Sequence, residues 1–160
     1  MLSVNVICIG KIKEKYFTDA IAEYKKRLGA FCKFNIVELD EEKTYSDPNP
    51  SQTESILNAE GKRIINALGK NSYVIAMCVE GKMLSSEELA RKLEDVSLDG
   101  VSTVDFIIGG SWGLSDEVKS KSSFKLSMSR MTFPHQMARV ILSEQIYRAF
   151  EINNNGKYHK

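Results

Sequence analysis

Two short segments of the chain carry the residue types that a small-ligand site needs. Residues 109–113 form a glycine turn directly after an apolar run, and glycines there let backbone amides approach a ligand closely. Residues 129–134 supply two hydroxyl groups for hydrogen bonds, together with the apolar side chains of Met131 and Phe133. Taken separately, each segment is equally compatible with a structural role, as a strand-to-helix turn or a polar loop before a helix.

Other kinds of site find less support in the sequence. The glycine turn reads IIGGSWGL over residues 107–114, which matches neither the dinucleotide-binding motif G-x-G-x-x-G nor the P-loop motif G-x-x-x-x-G-K-[ST]. The cysteines Cys8, Cys32 and Cys78 have neither C-x-x-C nor Cys/His metal spacing. We therefore expect no metal site and no P-loop.

The two segments must be positioned by the elements around them, which alternate between strand and helix. Apolar runs predict strands, and apolar residues at three- and four-residue steps predict amphipathic helices. Ser85 with Glu88 forms a capping box, and Ser115 is an N-cap. The strands are predicted over residues 4–9, 34–39, 73–79, 103–108 and 124–127, and the longer helices over 15–28, 52–68, 86–96 and 134–153.

This alternation favours an α/β fold with a mostly parallel sheet covered by helices on both faces. Such sheets bind ligands at the carboxyl ends of their strands. Residues 80–82, 109–113 and 129–132 each follow a predicted strand, so these loops are expected to converge on one cleft. Residues 40–51, with several acids and two prolines, are predicted to form the chain's one long loop.

The composition is that of an ordinary globular protein. With 160 residues, 42% of them apolar and 27% charged, residues 1–160 are expected to form a single domain. Residues 1–35 carry seven basic side chains against three acidic ones, which permits RNA binding without demanding it. There is no basic, apolar leader at the N-terminus and no long apolar run, and the cysteine count is odd, so we expect a cytoplasmic protein with no membrane contact.

Several segments together resemble the ribosomal RNA large subunit methyltransferase H family, a branch of the SPOUT or α/β-knot superfamily. They are VEGK at residues 79–82, IIGGSWGL at 107–114, LSMSRMTFPH at 126–135, YHK at 158–160 and GKIK at 10–13. The resemblance covers essentially the whole chain. It implies a C-terminal trefoil knot, a homodimer with active sites near the interface, and methylation by S-adenosylmethionine (SAM) of N3 of a pseudouridine. The target would lie in a 23S rRNA stem-loop on assembled ribosomes.

The resemblance also assigns roles to residues of this chain. The cofactor contacts carried over are Met77, Gly110, Ser129, Arg130, Met131, Thr132, Phe133 and Pro134. Candidates for RNA contact are Arg139, Tyr158 and Lys160, with salt bridging as the alternative for the arginine. Candidates for the proton acceptor or for a group that orients the substrate are His135 and, through the tail of a partner subunit, His159, because histidine titrates nearest to neutral pH. His135 is equally compatible with a place at the start of the last helix and no catalytic role.

Some alternatives stay open at this point. Trp112 stands where relatives often have a smaller residue, and it can pack at a dimer interface, stack on a base or narrow the mouth of the pocket. A ribosome-associated RNA-binding factor with a degenerate methyltransferase fold would have the same motifs. A non-enzymatic flavodoxin-like module is a further alternative, but the first strand ends without an acidic cluster. Cofactor binding and methyl transfer would separate these functions.

Overall fold

The computed structural model describes residues 1–43 and 45–160; Thr44, inside the predicted loop over residues 40–51, lies outside the described part. The strands and helices alternate along the chain, as the sequence predicted. Their order is β1 (Ser3–Ile9), α1 (Lys15–Leu28), β2 (Lys33–Leu39), α2 (Pro50–Ala67), β3 (Tyr73–Met83), α3 (Ser86–Leu98), β4 (Thr103–Ile108), α4 (Asp116–Lys121), β5 (Phe124–Ser127) and α5 (His135–Asn153).

The five strands form one sheet in the order β2-β1-β4-β3-β5, and every neighbouring pair is parallel. The predicted parallel α/β architecture is confirmed. Because all strands point the same way, their carboxyl ends share one edge of the sheet, from which the connecting loops emerge. The loops after β3, β4 and β5 are therefore neighbours, although the end of β3 at Met83 and the end of β5 at Ser127 are 44 residues apart in sequence.

Helices cover both faces of the sheet. On one face, α5 packs against α1 and α3. The core on this face includes Leu28, Leu93, Phe106 and Ile146, all almost fully buried. On the other face, α2 and α4 pack together over a smaller core. In the described parts of the chain, no helix has both the length and the apolar character that a membrane span requires.

Helix α2 begins earlier than the sequence predicted. Pro50 was expected to belong to the loop, but it occupies the first turn of the helix, where its missing N–H costs nothing. The side chain of Asn49 accepts a hydrogen bond from the Gln52 N–H at 2.8 Å, and the Gln52 side chain accepts one from the Asn49 N–H at 2.9 Å. This capping box fixes the start of α2.

Strand β3 is longer than predicted, and residues 80–82 belong to the strand rather than to a loop. The pairing with β5 shifts register, so that Met77 and Lys82 both lie opposite Leu126. Gly81 permits this, because a Cβ there would lie only 2.7 Å from the backbone of Leu126. The extension depends on a close approach between segments far apart in sequence, a contact that strand propensity does not encode.

Candidate functional site

A cavity of about 330 Å³ opens at the carboxyl edge of β3, β4 and β5. It brings together residues from all three strand ends and from the start of α5. Of the residues named from the sequence, Met77, Gly110, Ser129, Met131, Thr132, Phe133 and His135 line it, whereas Arg130 and Pro134 are exposed and do not. A second cavity of about 360 Å³ shares Met77 and Phe133 with the first and extends towards Ser85 and Gln145.

The glycine turn forms one wall of the first cavity, and its geometry accounts for its glycines. A Cβ on Gly109 would lie 2.4 Å from the carbonyl oxygen of Gly113, and Gly113 itself has a φ of +87°. The Gly113 N–H donates to the Gly110 carbonyl at 3.1 Å, which closes the turn. Substitution of Gly109 or Gly113 would therefore strain the turn directly.

Gly110 was expected to lack a side chain so that a ligand could approach its backbone, but the structure shows a different environment. A Cβ on this residue would point towards β1 and α2, at 3.1 Å from Ile9 Cγ2 and 3.4 Å from the Glu60 carboxylate oxygen Oε1. The absent side chain makes room for packing beneath the turn and does not itself face the cavity. The backbone of Gly110 still lines the cavity.

Apolar side chains form much of the remaining wall. Met77, Ile108 and Leu126 come from three adjacent parallel strands, and Trp112 projects from the glycine turn with 42% of its surface exposed. This location agrees with a Trp112 that narrows the pocket mouth, one of the three roles considered. Cys78 also lines the cavity, and burial raises the pKa of its thiol, so it is not an activated nucleophile.

The segment between β5 and α5 makes few hydrogen bonds to the rest of the molecule. The Ser129 hydroxyl oxygen accepts from the Met131 N–H at 3.0 Å, and the Ser127 hydroxyl donates to the Ser129 carbonyl at 3.0 Å. Both bonds are local. Met131 is 72% exposed although its side chain is apolar. Exposed apolar surface next to a cavity is typical of a binding site.

His135, the first residue of α5, lines the same cavity. Its Nδ1 atom is buried and has no hydrogen-bond partner among the described residues. Burial, and next the guanidinium group of Arg139, lowers the pKa of His135 below its ordinary value of 6.5. At neutral pH the imidazole is therefore uncharged, which is the form that can accept a proton.

Arg139, one turn further along α5, has a structural role, and the prediction that it contacts RNA is wrong for this fold. Its side chain is 0% exposed. It donates to the carbonyls of Ile9 at 2.7 Å and Gly10 at 2.9 Å, and to the Glu38 carboxylate at 3.0 Å. A guanidinium enclosed in this way cannot reach an RNA phosphate, and it instead joins α5 to the ends of β1 and β2.

The C-terminal tail folds back onto its own chain. The Tyr158 hydroxyl donates to Glu144 at 2.9 Å, while burial and this bond raise the pKa of Tyr158 to about 12. His159 lies between Glu87, at 2.7 Å from Nε2, and Arg148, at 3.1 Å from Nδ1. His159 does not line either cavity of its own chain, and Lys160 is exposed.

Two acidic residues near the cavity were given no role of their own from the sequence, although Glu80 belongs to the segment over residues 80–82 that was expected at this cleft. Glu80 pairs with Lys119 at 2.5 Å on the rim, and this contact lowers the pKa of Glu80. Glu60 is buried beneath the glycine turn. A lone glutamate in a helix gives no sequence signal of such a location. In the described part of the chain, no group of three or more His, Cys, Asp or Glu side chains is placed to hold a metal ion.

Comparisons with known proteins agree with this geometry. Residues 2–159 match the family described as "Predicted SPOUT methyltransferase". "Ribosomal RNA large subunit methyltransferase H" of Clostridioides difficile (strain 630) is 52% identical over 159 residues, covering 99% of this chain and 100% of the relative. The protein of the same name from Oenococcus oeni (strain ATCC BAA-331 / PSU-1) is 46% identical over 160 residues, covering 100% of both chains.

A solved structure supports the fold. "A probable methylase family protein" from Haemophilus influenzae Rd KW20 superimposes with a TM-score of 0.55 at 17% sequence identity. The match covers 100% of this chain and 72% of the other. At this level of identity the likeness concerns architecture alone.

Proposed function

The chain belongs to the SPOUT methyltransferases and, among them, to the ribosomal RNA large subunit methyltransferase H family, and from this membership we propose a specific reaction. The protein transfers a methyl group from SAM to N3 of a pseudouridine in a 23S rRNA stem-loop. Its substrate is the assembled ribosome, and it works in the cytoplasm as a homodimer with a C-terminal trefoil knot in each subunit. The observation that carries the proposal is the cavity at the carboxyl edge of β3, β4 and β5.

The residues of this cavity fit SAM. The adenosine part needs a flat apolar slot with a few hydrogen-bonding groups at its edges, and Met77, Leu126 and Phe133 are placed to provide the slot. The hydroxyls of Ser129 and Thr132 and the backbone of the glycine turn offer the polar contacts. The volume of about 330 Å³ lies within the range of ordinary ligand pockets, roughly 300–1,000 Å³.

The protein's own part in the reaction is to orient the RNA base and to remove the N3 proton. SAM, when bound, supplies a methyl group that is electrophilic because it is attached to a sulfonium. Methylation would replace the N3–H bond of the base by an N3–CH₃ bond, with the sulfur keeping the electron pair of the broken S–CH₃ bond and the N3 proton passing to an acceptor on the protein. His135 is the candidate in the same subunit, because it lines the cavity and is uncharged at neutral pH.

His159 remains the second candidate, acting through the tail of a partner subunit. Within its own chain it is held by Glu87 and Arg148, so this role requires a dimer that brings the tail to the other subunit's cavity. Arg130 and Lys160 are exposed and can contact RNA phosphate, as the basic N-terminal segment also can. The half-buried Tyr158 would need to leave Glu144 to stack on a base.

Transfer of a labelled methyl group tests the proposal. Purified protein is incubated with methyl-labelled SAM and either intact ribosomes or free 23S rRNA, taken from cells that lack the enzyme. We expect label in the ribosome sample alone, on a single pseudouridine when nuclease fragments are analysed by mass spectrometry. Ribosome binding without transfer would favour the RNA-binding factor with a degenerate fold.

A further inference from the structure

The glycine turn has a neighbour that neither its sequence nor the proposed reaction explains. Glu60, on α2, is only 4% exposed although it carries a carboxyl group. It lies directly beneath the turn, since a Cβ on Gly110 would come within 3.4 Å of its Oε1 atom. Gly110 is thus the layer of backbone that separates this carboxyl group from the cavity.

Only one of the two carboxyl oxygens of Glu60 is paired. Oε2 accepts a hydrogen bond from the Glu42 N–H at 3.0 Å. Oε1 is buried and has no partner among the described residues. A buried carboxylate oxygen without a donor is unfavourable, so its presence calls for an explanation.

The nearest cation does not supply that partner. Arg63, one turn along α2, directs one terminal nitrogen to the Glu42 carboxylate and the other to the Asp40 carbonyl at 3.0 Å. Burial, with Glu41 and Glu42 close by, raises the pKa of Glu60. A backbone N–H donated to Oε1 would offset this penalty and favour the charged form of Glu60, in which both carboxylate oxygens accept.

The next residue, Gly61, presses the same stretch of α2 against the other end of the turn region. A Cβ on Gly61 would lie 2.6 Å from the Ser115 hydroxyl oxygen and 3.3 Å from Val118. Ser115 is the N-cap of α4, which follows the glycine turn. Glu60 and Gly61 together thus contact both ends of the segment over residues 110–115.

We propose that Glu60 is a positioning residue for the methyl-donor site: its unpaired Oε1 accepts a backbone N–H of the glycine turn when the cavity is occupied. This hydrogen bond fixes the conformation of the glycine turn where it forms the cavity wall. Because Oε2 of Glu60 accepts from the Glu42 N–H, Glu60 also links the loop after β2 to the turn. This inference rests on the proposed function, because it assigns SAM to the cavity. Glu60 itself does not touch the ligand.

Replacement of Glu60 by glutamine tests the idea with little change in shape. The Glu42 N–H needs an oxygen opposite it, so the amide of Glu60→Gln would turn its NH₂ group towards Gly110 and offer a donor where an acceptor is needed. We expect the dissociation constant for SAM, measured by calorimetry, to rise about tenfold. The KM for SAM should rise with it, while the KM for ribosomes stays unchanged.

If Glu60 served only the stability of the fold, Glu60→Gln would lower the melting temperature and leave the SAM affinity unchanged. The proposal predicts the opposite. The melting temperature of unliganded Glu60→Gln should equal or exceed that of the wild type, because a buried carboxyl group has been replaced by a neutral amide. Glu54→Gln, an exposed glutamate on the same helix, is the control for the change in charge and should bind SAM like the wild type. A lower melting temperature with unchanged SAM affinity would overturn the inference.

The wild-type titration separates this inference from the proposed function. If the wild type binds SAM and Glu60→Gln binds it equally well, the proposed function stands and the role of Glu60 is refuted. If the wild type does not bind SAM, the proposed function fails and the inference fails with it.

Discussion

The two halves of the sheet's carboxyl edge differ in how well their polar groups are paired. At the ends of β1 and β2, the Glu38 carboxylate accepts from the Ile12 N–H and from Arg139, which also donates to the carbonyls of Ile9 and Gly10. Both terminal nitrogens of Arg139 are thus paired, whereas its Nε atom is buried without a partner among the described residues. At the ends of β3, β4 and β5, the hydrogen bonds of the Ser127 and Ser129 hydroxyls are local, and apolar side chains are exposed.

This difference supports the ligand position that we propose. Polar groups that are already paired have nothing to gain from a ligand, whereas unpaired groups around a cavity are stabilised when one binds. Helix α5 begins between the halves, with His135 facing the cavity and Arg139, four residues on, facing β1. This contrast supports a structural role for the ends of β1 and β2 and the proposed reaction site at the ends of β3, β4 and β5.

The largest loss of stability is expected from a substitution at the ends of β1 and β2, where the polar groups are mostly paired. Arg139→Leu removes the three hydrogen bonds of a fully buried side chain and leaves Glu38 and two carbonyls without this donor. The free energy of unfolding, from urea titration, should fall by about 3–5 kcal/mol. Arg91→Leu, at an exposed position on α3, is the control and should change it by less than about 0.5 kcal/mol. Equal effects of the two substitutions would break the comparison.

His135→Gln tests the proposed proton acceptor in the cavity at the ends of β3, β4 and β5. If His135 accepts the N3 proton, kcat for methylation of ribosomes should fall about 100-fold while SAM affinity changes less than about twofold. The wild-type kcat should rise with pH and level off, with an apparent pKa below 6.5, because the lowered pKa keeps the imidazole neutral at pH 7. An unchanged kcat and pH profile in the variant would move the proton acceptor to another group.

Truncation after Gly156 tests whether the C-terminal tail takes part in the methylation reaction. It removes the contacts of Tyr158 with Glu144 and of His159 with Glu87, but no residue of the first cavity. We expect unchanged SAM affinity and at least a tenfold loss of ribosome methylation, roughly the contribution of one stacked base. Glu87→Gln, which weakens the hold on His159 but keeps the tail, should retain activity. Full activity of the truncated chain would exclude the tail from the mechanism.

The smallest effect is expected for the ion pair on the cavity rim. Lys119→Gln breaks the contact with Glu80, but the two side chains are 26% and 55% exposed. Water screens such a pair, so the free energy of unfolding should fall by less than about 1 kcal/mol. A loss as large as that of Arg139→Leu, in the same urea titration, would show that the two halves do not differ in the way we describe.

Most of the fold follows from local sequence signals. The bounds of α1, β4 and β5 agree with the prediction, because apolar periodicity and the flanking turn residues mark both ends of each element. The extension of β3 was missed, since it depends on the close contact of Gly81 with Leu126. Similarly, the resemblance identified residues that line the cavity, but spacing alone left their role open.

The contrasting roles of neighbouring polar residues could not be read from the sequence. Arg139 finds its partners about 100 to 130 positions away, at Glu38, Ile9 and Gly10. Nothing in the local sequence of α5 marks this arginine as buried. The same holds for Glu60, whose location beneath the glycine turn results from the packing of α2 against the start of α4.

Hydrogen–deuterium exchange of the whole chain, with and without SAM, shows which strand ends bind the methyl donor. If the methyl donor occupies the cavity at the ends of β3, β4 and β5, SAM should slow amide exchange in residues 109–113 and 127–133. Residues 10–13, directly after β1, should exchange at the same rate in both samples. Protection confined to residues 10–13, with residues 109–113 and 127–133 unchanged, would contradict the account.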